Sequence, residues 1–117
     1  DIRGIAVDAA LTNVKLTLNN CSVDFKDLSA CDWAYAVNVA GNGTGHVLTV
    51  VGGSYEGANV INVYGANNII TVENATLTSL YPNNDQYYGS CLWVLQKQGS
   101  EVTAANNTFN GAVKPVN

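Results

Sequence analysis

One eight-residue pattern recurs four times along the chain and limits the folds that it can adopt. The pattern reads apolar, Thr, apolar, any residue, Asn or Gly, small, Ser or Thr, apolar, and its copies begin at residues 16, 48, 70 and 102. The starts therefore lie 32, 22 and 32 residues apart. A shorter motif, which begins at Ile5, Val37, Ile61 and Trp93, interleaves with the first at intervals of 32, 24 and 32 residues. Two motifs that keep nearly the same spacing indicate a structural repeat.

The composition of each repeat predicts β-strands. Alternation of apolar residues with Thr is typical of strands with one buried face, and the Val, Ile, Thr, Asn and Gly content disfavours helix. A repeat of about 22 residues holds three short strands but no crossover helix, so equivalent strands of successive repeats should stack on one another. The sequence therefore predicts an all-β parallel β-helix, a solenoid of four coils with three short strands each, as a single domain over residues 1–117. We expect it to be a segment of a longer protein.

The repeat also predicts which side chains share a column. Leu16, Leu48, Ile70 and Val102 should form one inward column, and Leu18, Val50, Val72 and Ala104 a second. The Thr residues at 17, 49, 71 and 103 should point outward. A bend with a structural ladder is expected where Asn and Gly recur, because both tolerate left-handed backbone and stacked Asn amides can hydrogen-bond along a column. Its members are Asn20, Gly52, Asn74 and Asn106.

The order of strand, two-residue Asn turn, strand, long loop and strand resembles the pectate-lyase-like right-handed parallel β-helix superfamily over essentially the whole chain. The resemblance implies right-handed coiling, which parallel connections generally prefer. It also implies a saccharide groove at the edge from which loops project and on the adjacent strand face. Lyases of this family use an Asp cluster for calcium with a basic proton acceptor, and the related hydrolases use three Asp residues. The sequence shows neither signature, and a lone His46 in a turn is more typical of a structural residue.

Two loop inserts at one position of the coil, residues 24–34 and 80–90, are the expected binding region. They should project from one edge two coils apart, and loops on a rigid scaffold often bind ligands. Aromatic side chains beside amides and carboxylates can stack on and hydrogen-bond a sugar, whereas the alternative is that they pack the loops and form turns. The candidate ligand-binding residues are Trp33, Tyr35, Asn38, Asn62, Tyr64, Tyr81, Asp85, Tyr87 and Tyr88.

The strand face beside these inserts should carry outward columns that become more apolar toward the C-terminus. One column is expected to hold Ala6, Ala36, Val60 and Leu92, and the next Asp8, Asn38, Asn62 and Val94. An exposed apolar stripe of this kind usually marks a contact surface. The alternative is that a loop of the same chain covers it.

Charge and cysteine content exclude several classes of function. The net charge is −4 with five scattered basic residues, which argues against nucleic acid as a partner, and the apolar runs are too short for a membrane span. The spacing of Cys21, Cys31 and Cys91 matches no zinc motif, so we expect no metal and no cofactor. Cys21 should point inward, and Cys31 and Cys91 at the insert edge are candidates for a disulfide.

Together these features predict a non-catalytic, secreted or cell-surface β-helix module that acts as a scaffold or adhesin, with a glycan or another protein as partner at the loop edge. The alternative is a fragment of a carbohydrate-active β-helix enzyme, a polysaccharide lyase or hydrolase. Ice binding by the Thr column is a third reading, although Lys15 and Glu73 interrupt its regularity. Because the four residues before Ile5 cannot cover the N-terminal coil, further coils of a longer parent chain or another subunit are expected there.

Overall fold

The computed structural model describes residues 2–25, 34–41, 44–80, 90–94 and 99–113, and every regular element in these ranges is a β-strand. The all-β prediction is therefore confirmed for the described part of the chain, which contains no helix that could span a membrane. The strands are β1 (Ile2–Val7), β2 (Lys15–Asn19), β3 (Ser22–Val23), β4 (Ala34–Val39), β5 (Val47–Val51), β6 (Ser54–Gly57), β7 (Asn59–Val63), β8 (Ile69–Glu73), β9 (Thr76–Ser79), β10 (Ser90–Val94), β11 (Glu101–Ala105), β12 (Thr108–Asn110) and β13 (Ala112–Val113).

These strands form three parallel sheets. Sheet A has the order β1-β4-β7-β10-β13, sheet B has the order β2-β5-β8-β11, and sheet C has the order β3-β6-β9-β12. Each sheet takes one strand from each of the four repeats, and sheet A has β13 as a fifth strand after the last of them. All pairs are parallel. This topology is consistent with a β-solenoid, in which one strand from each sheet makes up a coil.

The eight-residue repeat is paired in the register that the sequence predicts. Thr17, Thr49, Thr71 and Thr103 are direct partners across sheet B. The alternating residues of the two inner strands, Leu48, Val50, Ile70 and Val72, are all buried in the core. Period-two alternation thus places apolar side chains inside and Thr outside, and the core lies between the three sheets.

Left-handed backbone recurs in two columns, one at each end of sheet B. The column that ends the sheet B strands contains Asn20, Gly52, Asn74 and Asn106, with φ between 52° and 66°. A second column, which the sequence analysis did not recognise, precedes these strands and contains Asn13, Gly45, Asn67 and Gly99. A Cβ at Gly52 would overlap Oδ1 of Asn20, so the exposed Asn20 side chain would have to move to admit any other residue. Each coil therefore turns into and out of sheet B through a residue that tolerates positive φ.

Side-chain hydrogen bonds between coils lie one residue after the bend that precedes the sheet B strands. The backbone N–H of Val14 donates to Nδ1 of His46 at 3.0 Å, and the N–H of His46 donates to Oδ1 of Asn68 at 2.9 Å. The N–H of Asn68 in turn donates to Oγ of Ser100 at 3.2 Å. Each coil thus supplies a side-chain acceptor for the bend of the coil before it, which satisfies backbone donors that the sheets leave unpaired. We call these four residues the corner ladder.

The bend that follows the sheet B strands has one bond of the same kind, from the N–H of Ala75 to Oδ1 of Asn107 at 3.0 Å. Asn107 also donates from Nδ2 to the carbonyl oxygen of Val72 at 2.8 Å. The ladder was expected one residue earlier, at Asn20, Gly52, Asn74 and Asn106. Among the described residues, the three Asn side chains of that column form no hydrogen bond, and they are exposed. Their left-handed backbone, rather than an amide ladder, is what the structure shows there.

Candidate functional site

The outer face of sheet A carries the described part of the candidate site. Ala6, Asn38, Asn62 and Trp93 are partners in one column across β1, β4, β7 and β10. On β1, Ala6 is exposed between half-buried Ile5 and buried Val7, so this column faces away from the core. On the later coils the same column is buried, with Asn38 at 2% and Asn62 at 0% exposure.

The two asparagines of this column form a buried pair. Nδ2 of Asn62 donates a hydrogen bond to Oδ1 of Asn38 at 2.9 Å. Oδ1 of Asn62 has no partner among the described residues. An unmatched buried acceptor costs about 1–3 kcal/mol, so this amide retains an unused capacity to accept a hydrogen bond.

The predicted outward columns are wrong in the first coil, in the last coil and at two other positions. Ala6 is the partner of Asn38 rather than of Ala36, so Asp8 does not belong to the column of Asn38. Leu92, rather than Trp93, is the partner of Ile61, and Val94 is the partner of Val63. Both belong to the core cluster, as do Ala36 and Val60. The apolar stripe expected on the outer face is therefore part of the core.

The error has a physical reason in the connecting segments. Asn62 and its partner Trp93 are 31 residues apart, whereas Thr71 and Thr103 in sheet B are 32 apart. Register in each sheet follows inter-strand bonding rather than a fixed sequence interval. The triplet Leu92-Trp93-Val94 fits the motif of Ile61-Asn62-Val63 as well as the segment that was aligned with it, so the sequence is compatible with both registers. The register that the structure adopts places Trp93 in the outer column.

The two described tyrosines of the candidate set flank this column. Tyr35 on β4 is 6% exposed and lies in register with Arg3 and Asn59. Tyr64 directly follows β7 and is half-buried. Its N–H donates to the carbonyl of Val39 at 3.0 Å, and its own carbonyl accepts from Nδ2 of Asn68 at 2.9 Å. Two backbone bonds thus fix the position from which the Tyr64 ring projects.

The other five candidates fall outside the described residues. These are Trp33, Tyr81, Asp85, Tyr87 and Tyr88. The structure therefore brings Asn38, Asn62 and Trp93 together in one column, places Tyr64 next to the end of β7, and leaves the loop aromatics untested.

The described cysteines are free thiols, so the expected disulfide between Cys91 and Cys31 is wrong. Cys91 lies on β10 and its Sγ donates to the carbonyl oxygen of Leu77 at 3.3 Å inside the core, rather than at the insert edge. Burial raises the pKa of its thiol. Cys21 is half-buried and packs against the core, as expected.

Two further buried side chains each have a polar atom without a hydrogen-bond partner among the described residues. The hydroxyl of Tyr55 forms no hydrogen bond among the described residues. Burial, and secondarily the neighbouring Cys21, raises its pKa. His46 accepts at Nδ1 from the N–H of Val14, and its Nε2 has no hydrogen-bond partner among the described residues. In the described part of the chain, no group of three His, Cys, Asp or Glu residues could hold a metal ion.

Comparison with known proteins finds no match. No protein-family model matches the chain, and no curated protein or solved structure is significantly similar to it.

Proposed function

We propose that this chain is a right-handed, pectate-lyase-like β-helix module of a secreted or surface-displayed protein. It acts as a non-catalytic scaffold or adhesin that holds a glycan at the loop edge of sheet A. Three parallel sheets with equivalent strands in register support the architectural part of the proposal. The chemistry of the outer face of sheet A supports the choice of ligand.

One observation carries the choice of a glycan. Asn38, Asn62 and Trp93 share an outward column, and the partly exposed Tyr64 lies beside it. An aromatic side chain that can stack on the apolar face of a sugar, supported by a layer of polar side chains, is typical of carbohydrate sites. Nucleic acid and anionic membranes are poor alternatives because the net charge is −4.

The degree of burial indicates which of these residues support the site and which contact the ligand. Asn38 and Asn62 are closed off from solvent, so we expect them to hold the floor of the site rather than touch the ligand. Tyr64 is half-buried and is the described residue that we expect to contact the sugar. Loop residues 24–34 and 80–90 would supply the remaining contacts.

A glycan array followed by calorimetric titration of the best ligand tests the proposal. Tyr64→Ala should weaken binding about tenfold or more, because a stacked aromatic ring carries a large share of the binding energy in such sites. Ile69→Ala is the matched control, since Ile69 is exposed on sheet B, away from the site. Unfolding temperatures of both variants should match that of the unaltered chain.

Two results would contradict the proposal in different ways. Full affinity in Tyr64→Ala would place the glycan elsewhere on the molecule. Release of new reducing ends or unsaturated products from a bound polysaccharide would show catalysis, and would favour the carbohydrate-active enzyme reading instead.

A further inference from the structure

We propose that the outer face of sheet B binds a second copy of this chain, with the coils of the two copies stacked in opposite directions. The face consists of three outward columns on β2, β5, β8 and β11, all of which are described and solvent-accessible. The first column is Lys15, Val47, Ile69 and Glu101, the second is the Thr column, and the third is Asn19, Val51, Glu73 and Ala105.

An apolar centre flanked by opposite charges distinguishes this face. Ile69 is 47% exposed, which makes it one of the most exposed large apolar side chains of the described residues. Its neighbour Val47 is partly exposed, and two Thr side chains lie beside them in the second column. Lys15 and Glu101 stand at opposite ends of the first column, three coils or about 14 Å apart. Neither has an ion-pair partner among the described residues.

A two-fold axis parallel to the strands makes this face complementary to itself. Such an axis keeps each column opposite its own copy and reverses the order of the coils. Lys15 then faces the Glu101 of the second copy, Val47 faces Ile69, and Thr49 faces Thr71. In the third column Asn19 faces Ala105 and Val51 faces Glu73. The charge pair and the apolar pair each occur twice, because the interface is isologous.

The other face-to-face arrangement is not complementary. A two-fold axis along the coil stack would place the first column opposite the third. Lys15 would then face Asn19 and Glu101 would face Ala105, so neither would meet an opposite charge. The placement of charges therefore selects the antiparallel arrangement, with the sheets packed about 10 Å apart as in aligned β-sandwiches.

The small area of the face limits the affinity of the dimer. Four strands of five residues cover about 19 by 16 Å, or about 300 Å² for each copy, whereas stable interfaces bury about 800 Å² per partner. We therefore expect a weak, reversible dimer that forms between high micromolar and millimolar concentration. Salt should weaken it, because its charge pairs lie at an exposed rim.

Charge-swap variants test the arrangement, with sedimentation and NMR diffusion measured from micromolar to millimolar concentration. Lys15→Glu and Glu101→Lys each place like charges opposite one another twice, and should weaken association about tenfold or more. The double variant restores both pairs and should return to within about threefold of the unaltered chain. Ser22→Glu with Thr108→Glu matches the charge change of Lys15→Glu on sheet C and should leave association unchanged.

Three results would overturn the proposal. The first is an unaltered chain that stays monomeric at millimolar concentration. The second is a double variant that associates no better than the single variants while its unfolding temperature is normal. The third is thermal hysteresis from a chain that remains monomeric, which would assign the Thr column to an ice surface.

Discussion

Replacing Asn68 by Leu should destabilise the fold more than any other single change in the corner ladder. The Asn68 side chain is 1% exposed and forms two hydrogen bonds of 2.9 Å, from the N–H of His46 to Oδ1 and from Nδ2 to the carbonyl of Tyr64. Leu cannot replace either bond, so one buried donor and one buried acceptor would lose their partners. At about 1–3 kcal/mol for each, the free energy of unfolding should fall by about 2–6 kcal/mol.

Two matched variants separate the hydrogen bonds from other effects. Asn68→Ser keeps a side-chain acceptor, as Ser100 does in the same column at 3.2 Å, and should recover about half of the loss. Asn67→Gly is the control, because Asn67 is exposed with φ 56° and Gly adopts that backbone readily. It should change stability by less than about 0.5 kcal/mol.

Urea unfolding followed by circular dichroism gives the free energies directly. Our reasoning would be refuted if Asn68→Leu were as stable as Asn67→Gly to within about 0.5 kcal/mol. Should Asn68→Leu fail to fold, the comparison of Asn68→Ser with Asn67→Gly still decides, because a Ser variant that equals the control would also contradict the role of the two bonds.

Three other predictions follow from buried groups and from the bends. Stability should be complete below pH 9 and fall above it, because burial raises the pKa of Cys91 and Tyr55 above their ordinary values of 9.0 and 10.0, so the unfolded chain ionises first. Cys91→Ala and Tyr55→Phe should each flatten the alkaline part of the unfolding curve, and an unchanged curve would count against burial as the cause. Gly53→Ala should cost more than about 3 kcal/mol or prevent folding, since φ is +92° and a Cβ would overlap the carbonyl oxygen of Cys21; a normal unfolding temperature would contradict this. Asn74→Gly should be neutral to within about 0.5 kcal/mol while Asn74→Leu loses about 1 kcal/mol through its left-handed backbone, and equal stabilities would show that backbone conformation does not matter there.

The chemistry of the corner ladder explains why sequence inspection missed it. Its members are Val14, His46, Asn68 and Ser100, which have no residue type in common. An imidazole nitrogen, an amide oxygen and a hydroxyl oxygen can all accept the same backbone N–H. Each bend therefore has an acceptor for its backbone N–H although no residue type recurs, and only the positions of the atoms reveal the column.

In the candidate site, too, the sequence identified some features and only the structure shows the others. The sequence identified Asn38 and Asn62 as equivalent positions, since both follow an apolar strand residue at a constant place in the motif. It did not reveal that both amides are buried and bonded to each other, nor that Trp93 completes their column. Burial depends on what packs over a face, which no local pattern encodes.

The sequence by itself determined that the chain is all-β, that its repeats stack in parallel, and that Leu48 and Val50 face inward while Thr49 faces outward. Side-chain alternation along a strand is a local property, and four copies of one pattern leave only one register in which apolar residues remain together. The tertiary structure alone decided the register of β10, the burial of Asn62 and the acceptors at the bends. These depend on inter-coil hydrogen bonds and packing between residues about 22 to 32 positions apart, where different side chains satisfy the same physical requirement.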